Sequence, residues 1–507
     1  MFKGSKKKKK MLGPVITIII MTIIVVISSA IFSLLGITGN QTLIINGSLE
    51  TSLITVNNIL TQDGIKYIFS NIITNFQVFE PLVLLIISLI TISIGEASGL
   101  FKAIFSRLKR INSNFLTFIV LFLGIACSFF GDYSYVLLLP LVAIMYQHIN
   151  KKPLLGIITV FIAITIGYGT GALINNEEIL LATLTQKAAI IDVDKNYIYA
   201  LSSNSYIMFA STFILSIVGT FIISWVLEKK IPRSNIVEEE NELPISKKGL
   251  RYTGLAFIIL TAFVVYMIIP GLNGSGILLG EGNSYIEKLL GETSPFHTGF
   301  TFIILLIMMV CGFIYGYISK NIKNSNEYSV ALSKTFEGLG YVFVLLFFTA
   351  QMVAILEWTN LGVVIAANLV SLISSASFAG ILLILIFFIV VVLISILMPS
   401  STAKWSIMAP LTVPLLMRAN VTPSFAQFVF RAADGVGKAF SPFFVYYIIM
   451  LAFLEKYNTR ENNKITVFGT LKLILPAILL FAGLWILIII CWYMIGIPTG
   501  PGVYSTF

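Results

Sequence analysis

Long apolar runs separated by short polar segments recur from Leu12 to about Ile495, most of them long enough for the roughly 20 residues that cross a hydrocarbon core of about 30 Å. No run alternates with the period of two that a transmembrane barrel needs. An open strand in lipid would leave backbone groups unpaired, so the pattern predicts helices. Nine crossings are expected, at about 12–36, 73–97, 153–175, 201–227, 251–270, 297–319, 336–356, 423–450 and 470–495.

Two further stretches, 114–149 and 377–418, differ from these. Each is interrupted in its middle, the first at Phe129-Phe130-Gly131-Asp132-Tyr133-Ser134 and the second at Pro399-Ser400-Ser401-Thr402. Glycine, proline and short polar side chains release the backbone from a helix, so each stretch is expected to enter the membrane, turn and leave on the same side.

Charge orients these elements. Lys3 and Lys6 to Lys10 place the N-terminus in the cytoplasm by the positive-inside rule, and segment 37–71, with Lys66 as its only basic residue, falls outside. The first apolar run exceeds the roughly 7 to 15 residues of a signal h-region and has no small-residue cleavage site, so it reads as an uncleaved span. Lys102, Arg107, Lys109 and Arg110 precede the first hairpin and Lys151-Lys152 follow it, which puts both its ends in the cytoplasm. The second hairpin lacks such flanks, so both its ends are expected outside, with Lys456, Arg460 and Lys464 marking the return. The polar segment 229–250, containing Glu238-Glu239-Glu240, divides the chain into membrane halves 1–228 and 251–507, and the acidic loop 271–296 fits the outside.

A shift of 270 positions lays Tyr135 on Trp405, Pro140 on Pro410, Pro153 on Pro423 and Gly167 on Gly437. With the opposite flanking charge, this reads as an inverted repeat. That architecture brings discontinuous helices together at the bilayer midplane. The expected fold is an all-α polytopic membrane protein with about nine spans and two oppositely oriented hairpins.

Composition narrows the function. Of 507 residues 57% are hydrophobic and 11% charged, against roughly 25% charged in soluble domains. The net charge of +10 lies in short loops rather than on one soluble face, so no nucleic-acid partner is expected. Cys127, Cys311 and Cys491 stand singly and there are two histidines, so no thiolate metal site is expected. The only cofactor anticipated is a coupling sodium ion or proton.

Charges inside apolar spans each cost at least about 2.5 to 3.5 kcal/mol at a helix centre and are functional by default. The candidates are Asp132, Lys404, Arg431, Asp434 and Lys438. Arg431 and Asp434 are spaced i, i+3 and Asp434 and Lys438 i, i+4, so a self-neutralised cluster that only holds helices together is the plain alternative. The planar fork of Arg431 suits a carboxylate or sulfonate substrate. Ser400, Ser401 and Thr402 beside unwound carbonyls offer oxygens to a sodium ion, and Asp132 does so in the first hairpin. Trp405 either stacks on a substrate ring or packs. Gly167, Gly169 and Gly171 lack the lysine and strand of a phosphate loop and mark a span unwound at mid-depth. For Glu177-Glu178, spacing favours an external loop over the lining of a site.

The run Pro399-Ser-Ser-Thr-Ala-Lys-Trp-Ser-Ile-Met-Ala-Pro-Leu-Thr-Val-Pro414, with Arg431-x-x-Asp434 and Ser441-Pro442, resembles the second hairpin and following helix of the AbgT family of p-aminobenzoyl-glutamate transporters. Thr74-Asn75-Phe76, Gly95 to Gly99 and Asp132-x-x-Tyr135-Val136-x-Leu138-x-Pro140 resemble the family's first half. The resemblance implies a homodimer with nine spans and two hairpins, and a substrate path lined by Glu178, Thr402, Trp405, Pro423, Arg431, Asp434 and Pro442. Glu178 stands where an aspartate is usual and Thr402 where a serine is. Gly131 to Ser134 departs from a Ser-Asp-Ala-Gly-like run.

The resulting expectation is a bacterial inner-membrane secondary transporter of p-aminobenzoyl-glutamate, or of a related aromatic amide or sulfonamide, importing or exporting a small aromatic anion. Asp132, Ser400 and Ser401 are the coupling-cation candidates. A membrane-embedded amide hydrolase would need Ser400 or Ser401 with Asp132 and has no intramembrane histidine, His148 lying near a cytoplasmic end. A passive channel would show no ion coupling.

Overall fold

The computed structural model describes residues 12–45, 47–168, 171, 173–191, 193–231, 244–374, 379–458 and 465–507. The oligolysine terminus, Gly169, Glu238 to Glu240, Arg460 and Lys464 lie outside the described residues.

Helix α1 (Pro14–Leu34) leads into strands β1 (Thr38–Ile45) and β2 (Ser48–Thr55). Segment 37–71 was expected only as an external connection, and its antiparallel hairpin is the one β-sheet among the described residues. Asn46-Gly47 between two runs rich in Thr, Ile and Leu is a hairpin signal that a search for membrane spans passes over. The Thr42 and Thr51 hydroxyls meet across it at 3.0 Å.

Next come α2 (Gln62–Gln77), α3 (Glu80–Ala97) and the short α4 (Leu100–Phe105). The first broken stretch is α5 (Ser113–Cys127) and α6 (Tyr133–His148), separated by a 3-10 turn and by Gly131 at φ 57°. The span expected at 153–175 is corrected to the 15-residue α7 (Pro153–Gly167), buried along its whole length, after which α8 (Asn176–Ala189) and the longer α9 (Ser205–Val226) follow.

In the second half α10 (Lys247–Ile268) is followed by the loop helices α11 (Tyr285–Leu290) and α12 (Pro295–Thr298). Helices α13 (Phe300–Ser319), α14 (Ser325–Ser333) and α15 (Gly340–Trp358) lead to α16 (Leu361–Ser374), which the hydrophobic pattern did not single out. With 14 residues it reaches only about 21 Å. The second broken stretch is α17 (Gly380–Leu397) and α18 (Ser401–Arg418), interrupted at Met398 to Ser400. The span expected at 423–450 is corrected to two helices, α19 (Pro423–Phe440) and α20 (Val445–Lys456), bent by 43°. Pro442 follows Ser441 there, and a proline lacks the N–H a continuing helix would use. Helix α21 (Val467–Ile495) closes the bundle. Among the described residues nine helical segments are long and apolar enough to cross a membrane, besides the bent pair.

Hydrogen bonds at the two ends of α9 orient the hairpins. At its C-terminal end Glu228 takes Ser113 Oγ at 3.4 Å and, on its carbonyl, Lys152 Nζ at 2.5 Å, so both ends of the α5–α6 hairpin lie at that face. At its N-terminal end Tyr206 N donates to Thr499 O at 2.9 Å, Asn204 Nδ2 to Ser424 O at 2.8 Å and Thr422 N to Ser505 O at 3.0 Å. The α17–α18 hairpin therefore ends at the opposite face, across the roughly 33 Å length of α9. Pro153 and Pro423 open α7 and α19, and both helices are followed by a break and a second half-helix, α8 or α20. The halves thus repeat a hairpin and a broken helix with inverted orientation, and α7 packs on α19 where they meet.

Candidate functional site

Helix α19 carries the charges. Every residue from Pro423 to Ala439 is buried, and Gln427, Arg431, Asp434 and Lys438 recur at spacings of four, three and four, which keeps them on one side of a helix. Close approach depends on two glycines. A Cβ on Gly435 would run into the Thr165 carbonyl oxygen of α7, and one on Gly437 would meet Ser395 Cβ and the Val392 carbonyl oxygen, each at 2.5 Å.

The self-neutralised cluster holds for one pair and fails for the other. Lys438 Nζ lies 3.1 Å from Asp434 Oδ2, as the spacing allows. Arg431 instead reaches across to α8, where its Nη1 donates to Glu178 Oε2 and its Nη2 stands 3.5 Å from Glu177 Oε2. Asp434 has no room for Arg431, because other elements have claimed its oxygens. Lys404 and Ser395, the latter at 2.8 Å, donate to Oδ1, and Ser401 donates to Oδ2 at 2.5 Å.

Spacing favours an external loop for Glu178 and the family resemblance a place on the substrate path; it is a buried anchor, with 3% of its surface exposed. Asn175 caps α8 by accepting the Glu178 N–H at 2.9 Å and ties it to the first hairpin by donating to the Ser128 carbonyl at 3.3 Å. Glu178 Oε1 accepts from Gln427 Nε2 at 2.7 Å and from the Tyr199 hydroxyl at 3.1 Å. The network continues through Thr185, whose hydroxyl donates to Gln427 Oε1 and accepts the Trp405 indole N–H at 2.8 Å. Trp405 itself is fully enclosed, its ring 4.4 Å from that of Phe430. The structure thus gives it a packing and hydrogen-bonding role, with no face open to a ligand in this conformation.

Ahead of this network lies a cavity of about 470 Å³. Three carboxylates, Glu80, Asp132 and Glu177, line it with the rings of Phe130, Tyr168 and Phe300. Phe130 and Phe300 stack at 4.3 Å. Tyr168 forms the partition: Lys438 Nζ lies 4.6 Å from its ring centroid on the protein side, and its hydroxyl donates to Asp132 Oδ1 at 3.5 Å. His297, on the short helix ahead of α13, also lines the cavity, and burial holds its imidazole below the ordinary range against the pull of Glu292.

The structure gathers the sequence candidates unevenly. Glu178, Arg431, Asp434, Ser401 and Trp405 belong to one buried block. Ser400 is exposed at the second break, Thr402 is half-buried beside it, Pro423 opens α19, and Pro442 sits in its break. Asp132 is exposed at the first hairpin's tip and borders the cavity rather than the block. Tyr168, Gln427, Thr185 and Tyr199 were not legible in the sequence, being neutral residues that join the network only through their neighbours. Lys404 and Lys438 were visible as intramembrane charges, and that signal was sufficient to find them.

A family model described as the AbgT transporter family matches residues 6–507. Over 481 residues the chain is 26% identical to the p-aminobenzoyl-glutamate transport protein of Escherichia coli, covering 94% of this chain and 91% of that protein. Among solved structures it is similar to the YdaH transporter of Alcanivorax borkumensis, with 27% identity, a TM-score of 0.50 and coverage of 97% of this chain and 100% of that one. It is similar also to MtrF of Neisseria gonorrhoeae, described with a class of antimetabolite efflux pumps, at 29% identity, a TM-score of 0.50 and 98% coverage of both chains.

Proposed function

The chain belongs to the AbgT family of multi-pass membrane transporters, and from that premise we propose that it moves p-aminobenzoyl-glutamate or a related aromatic amide by alternating access, coupled to a proton or sodium gradient. The observation that carries this reading is the unequal grip on Arg431. Its guanidinium is buried between Glu178, which holds it directly, and Glu177, which stands 3.5 Å away and borders the cavity. A substrate carboxylate entering the cavity can take the place of Glu177 on a fork that suits it bidentately. Phe130, Tyr168 and Phe300 supply the aromatic surface for its ring.

Displacing Glu177 leaves a carboxylate without its cation. A proton or sodium ion taken up at that moment restores the balance, so substrate and coupling cation move together, and the imposed gradient decides import or export. The two hairpin tips meet the broken helices between the inverted halves, which suits alternating exposure of one site. We place the N-terminus in the cytoplasm of a bacterial inner membrane, and take the working form to be a homodimer.

A second reading, transport of a neutral sulfonamide, is favoured by the three carboxylates of the cavity, which repel a dianion. Flux of radiolabelled p-aminobenzoyl-glutamate and of a sulfonamide into proteoliposomes, under proton and sodium gradients imposed separately, tests both. Saturable, gradient-driven flux of intact solute is expected. Flux indifferent to both gradients would indicate a channel, and cleaved amide a hydrolase.

A further inference from the structure

The second hairpin breaks at Met398 to Ser400, and the oxygens gathered around the break are those a sodium ion uses: the Pro399 carbonyl, the Ser395 and Ser401 hydroxyls and the Asp434 carboxylate. A lysine ammonium stands among them. Lys404 Nζ bonds Asp434 Oδ1 and lies 3.4 Å from Pro399 O. On the other side Lys438 Nζ lies 3.1 Å from Asp434 Oδ2 and donates to Ser401 Oγ at 2.5 Å. Lys404, Ser395, Ser401, Asp434 and Lys438 are each at most 4% exposed.

Two features make Lys404 more than a chance counter-ion. It sits in the first turn of α18, where the positive end of the helix dipole disfavours a cation, so the helix gains nothing from a lysine there. Moreover, Lys438 alone neutralises Asp434, and Lys404 brings a second positive charge to one carboxylate. A diffusible cation would be a third.

We propose that the Lys404 ammonium is the resident cation of the second hairpin, closing its oxygen cage to alkali ions and so determining which cation the protein can use. The oxygens that offered a sodium site at this break are engaged instead by tethered charges that cannot leave, the Pro399 carbonyl and Asp434 Oδ1 by Lys404 and Ser401 Oγ and Asp434 Oδ2 by Lys438. Any coupling cation that crosses with substrate must then be held elsewhere, at the first hairpin or on Glu177. This bears on the coupling cation of the transport reading above, yet it is tested by binding, so either can fail alone.

The test is thermal unfolding of the purified full chain in detergent, in sodium chloride and in choline chloride at equal ionic strength. Wild type and Lys404→Arg are expected to share the same sodium-specific difference, and Ser401→Ala and Ser395→Ala to leave it unchanged. Lys404→Gln vacates the cage and is expected to gain a sodium-specific rise of roughly 2 °C or more at saturating sodium. A sodium-specific rise in wild type that Ser401→Ala abolishes would overturn the proposal, as would a folded Lys404→Gln with no gain. Should Lys404→Gln not fold, the serine variants decide alone.

Discussion

Arg431 and Glu178 stand 253 positions apart in the chain, yet they form a direct buried ion pair at the meeting of α19 and α8. Each comes from a different membrane half, so the pair reports directly on how the halves are docked. It is also held from behind, by Gln427 and Tyr199 on the free oxygen of Glu178. Removing one partner of such a pair leaves a charge stranded in low dielectric. Arg431→Met is therefore expected to cost about 3 to 5 kcal/mol, and Arg431→Met with Glu178→Leu less than the sum of the two single changes. Denaturation midpoints of the three variants check this.

Thr185 links Trp405 to Gln427. Thr185→Val keeps the shape but leaves the indole N–H and the Gln427 carbonyl unsatisfied, at a cost of about 1 to 3 kcal/mol. Thr185→Ser is expected to restore most of it. Equal losses in the two variants would point to packing rather than hydrogen bonding.

Packing of α19 on α7 and α17 depends on the missing side chains of Gly435 and Gly437. In membranes helices associate through such small residues. Gly435→Ala and Gly437→Ala are each expected to destabilise by about 1 to 3 kcal/mol through overpacking. Gly483, whose Cβ would meet nothing within 4 Å, is the control that tolerates alanine.

His297 gives a pH prediction outside the membrane spans. Burial lowers its folded-state affinity for a proton, so the unfolded chain protonates first and stability falls as pH drops below about 6.5. Above that range the contribution is absent. His297→Gln is expected to flatten the loss of stability between pH 7 and pH 5, and an unchanged slope would contradict the assignment.

The membrane architecture was largely legible in the sequence because hydrophobic length and loop charge are local and additive. The chain breaks at Gly131 and Pro399 announce themselves by residue type, and the repeat that pairs Pro153 with Pro423 needs no structure to see. The break at Ser441 to Phe444 was harder, since Phe443 and Phe444 keep the segment apolar and Pro442 is the lone signal. The β-hairpin was hidden because its strands, of 8 residues each, are too short and too polar to register as spans. Within the site, spacing suggested Arg431 with Asp434, but helical spacing cannot see competitors from other helices. Lys404 on α18 and Ser395 on α17 take Asp434, and Glu178 on α8 takes Arg431. The same blindness made spacing favour a loop for Glu178 and left Trp405 undecided between stacking and packing.

The central claim is that solute crosses at the Arg431 site. It is tested most directly by the initial rate of gradient-driven p-aminobenzoyl-glutamate flux in proteoliposomes carrying equal amounts of folded wild type, Arg431→Lys or Glu177→Gln. The expected result is saturable flux in wild type, at least a tenfold loss in Arg431→Lys, which keeps the charge and loses the fork, and a lowered KM with weakened ion coupling in Glu177→Gln. Flux with the same rate, KM and gradient dependence in all three would contradict the account.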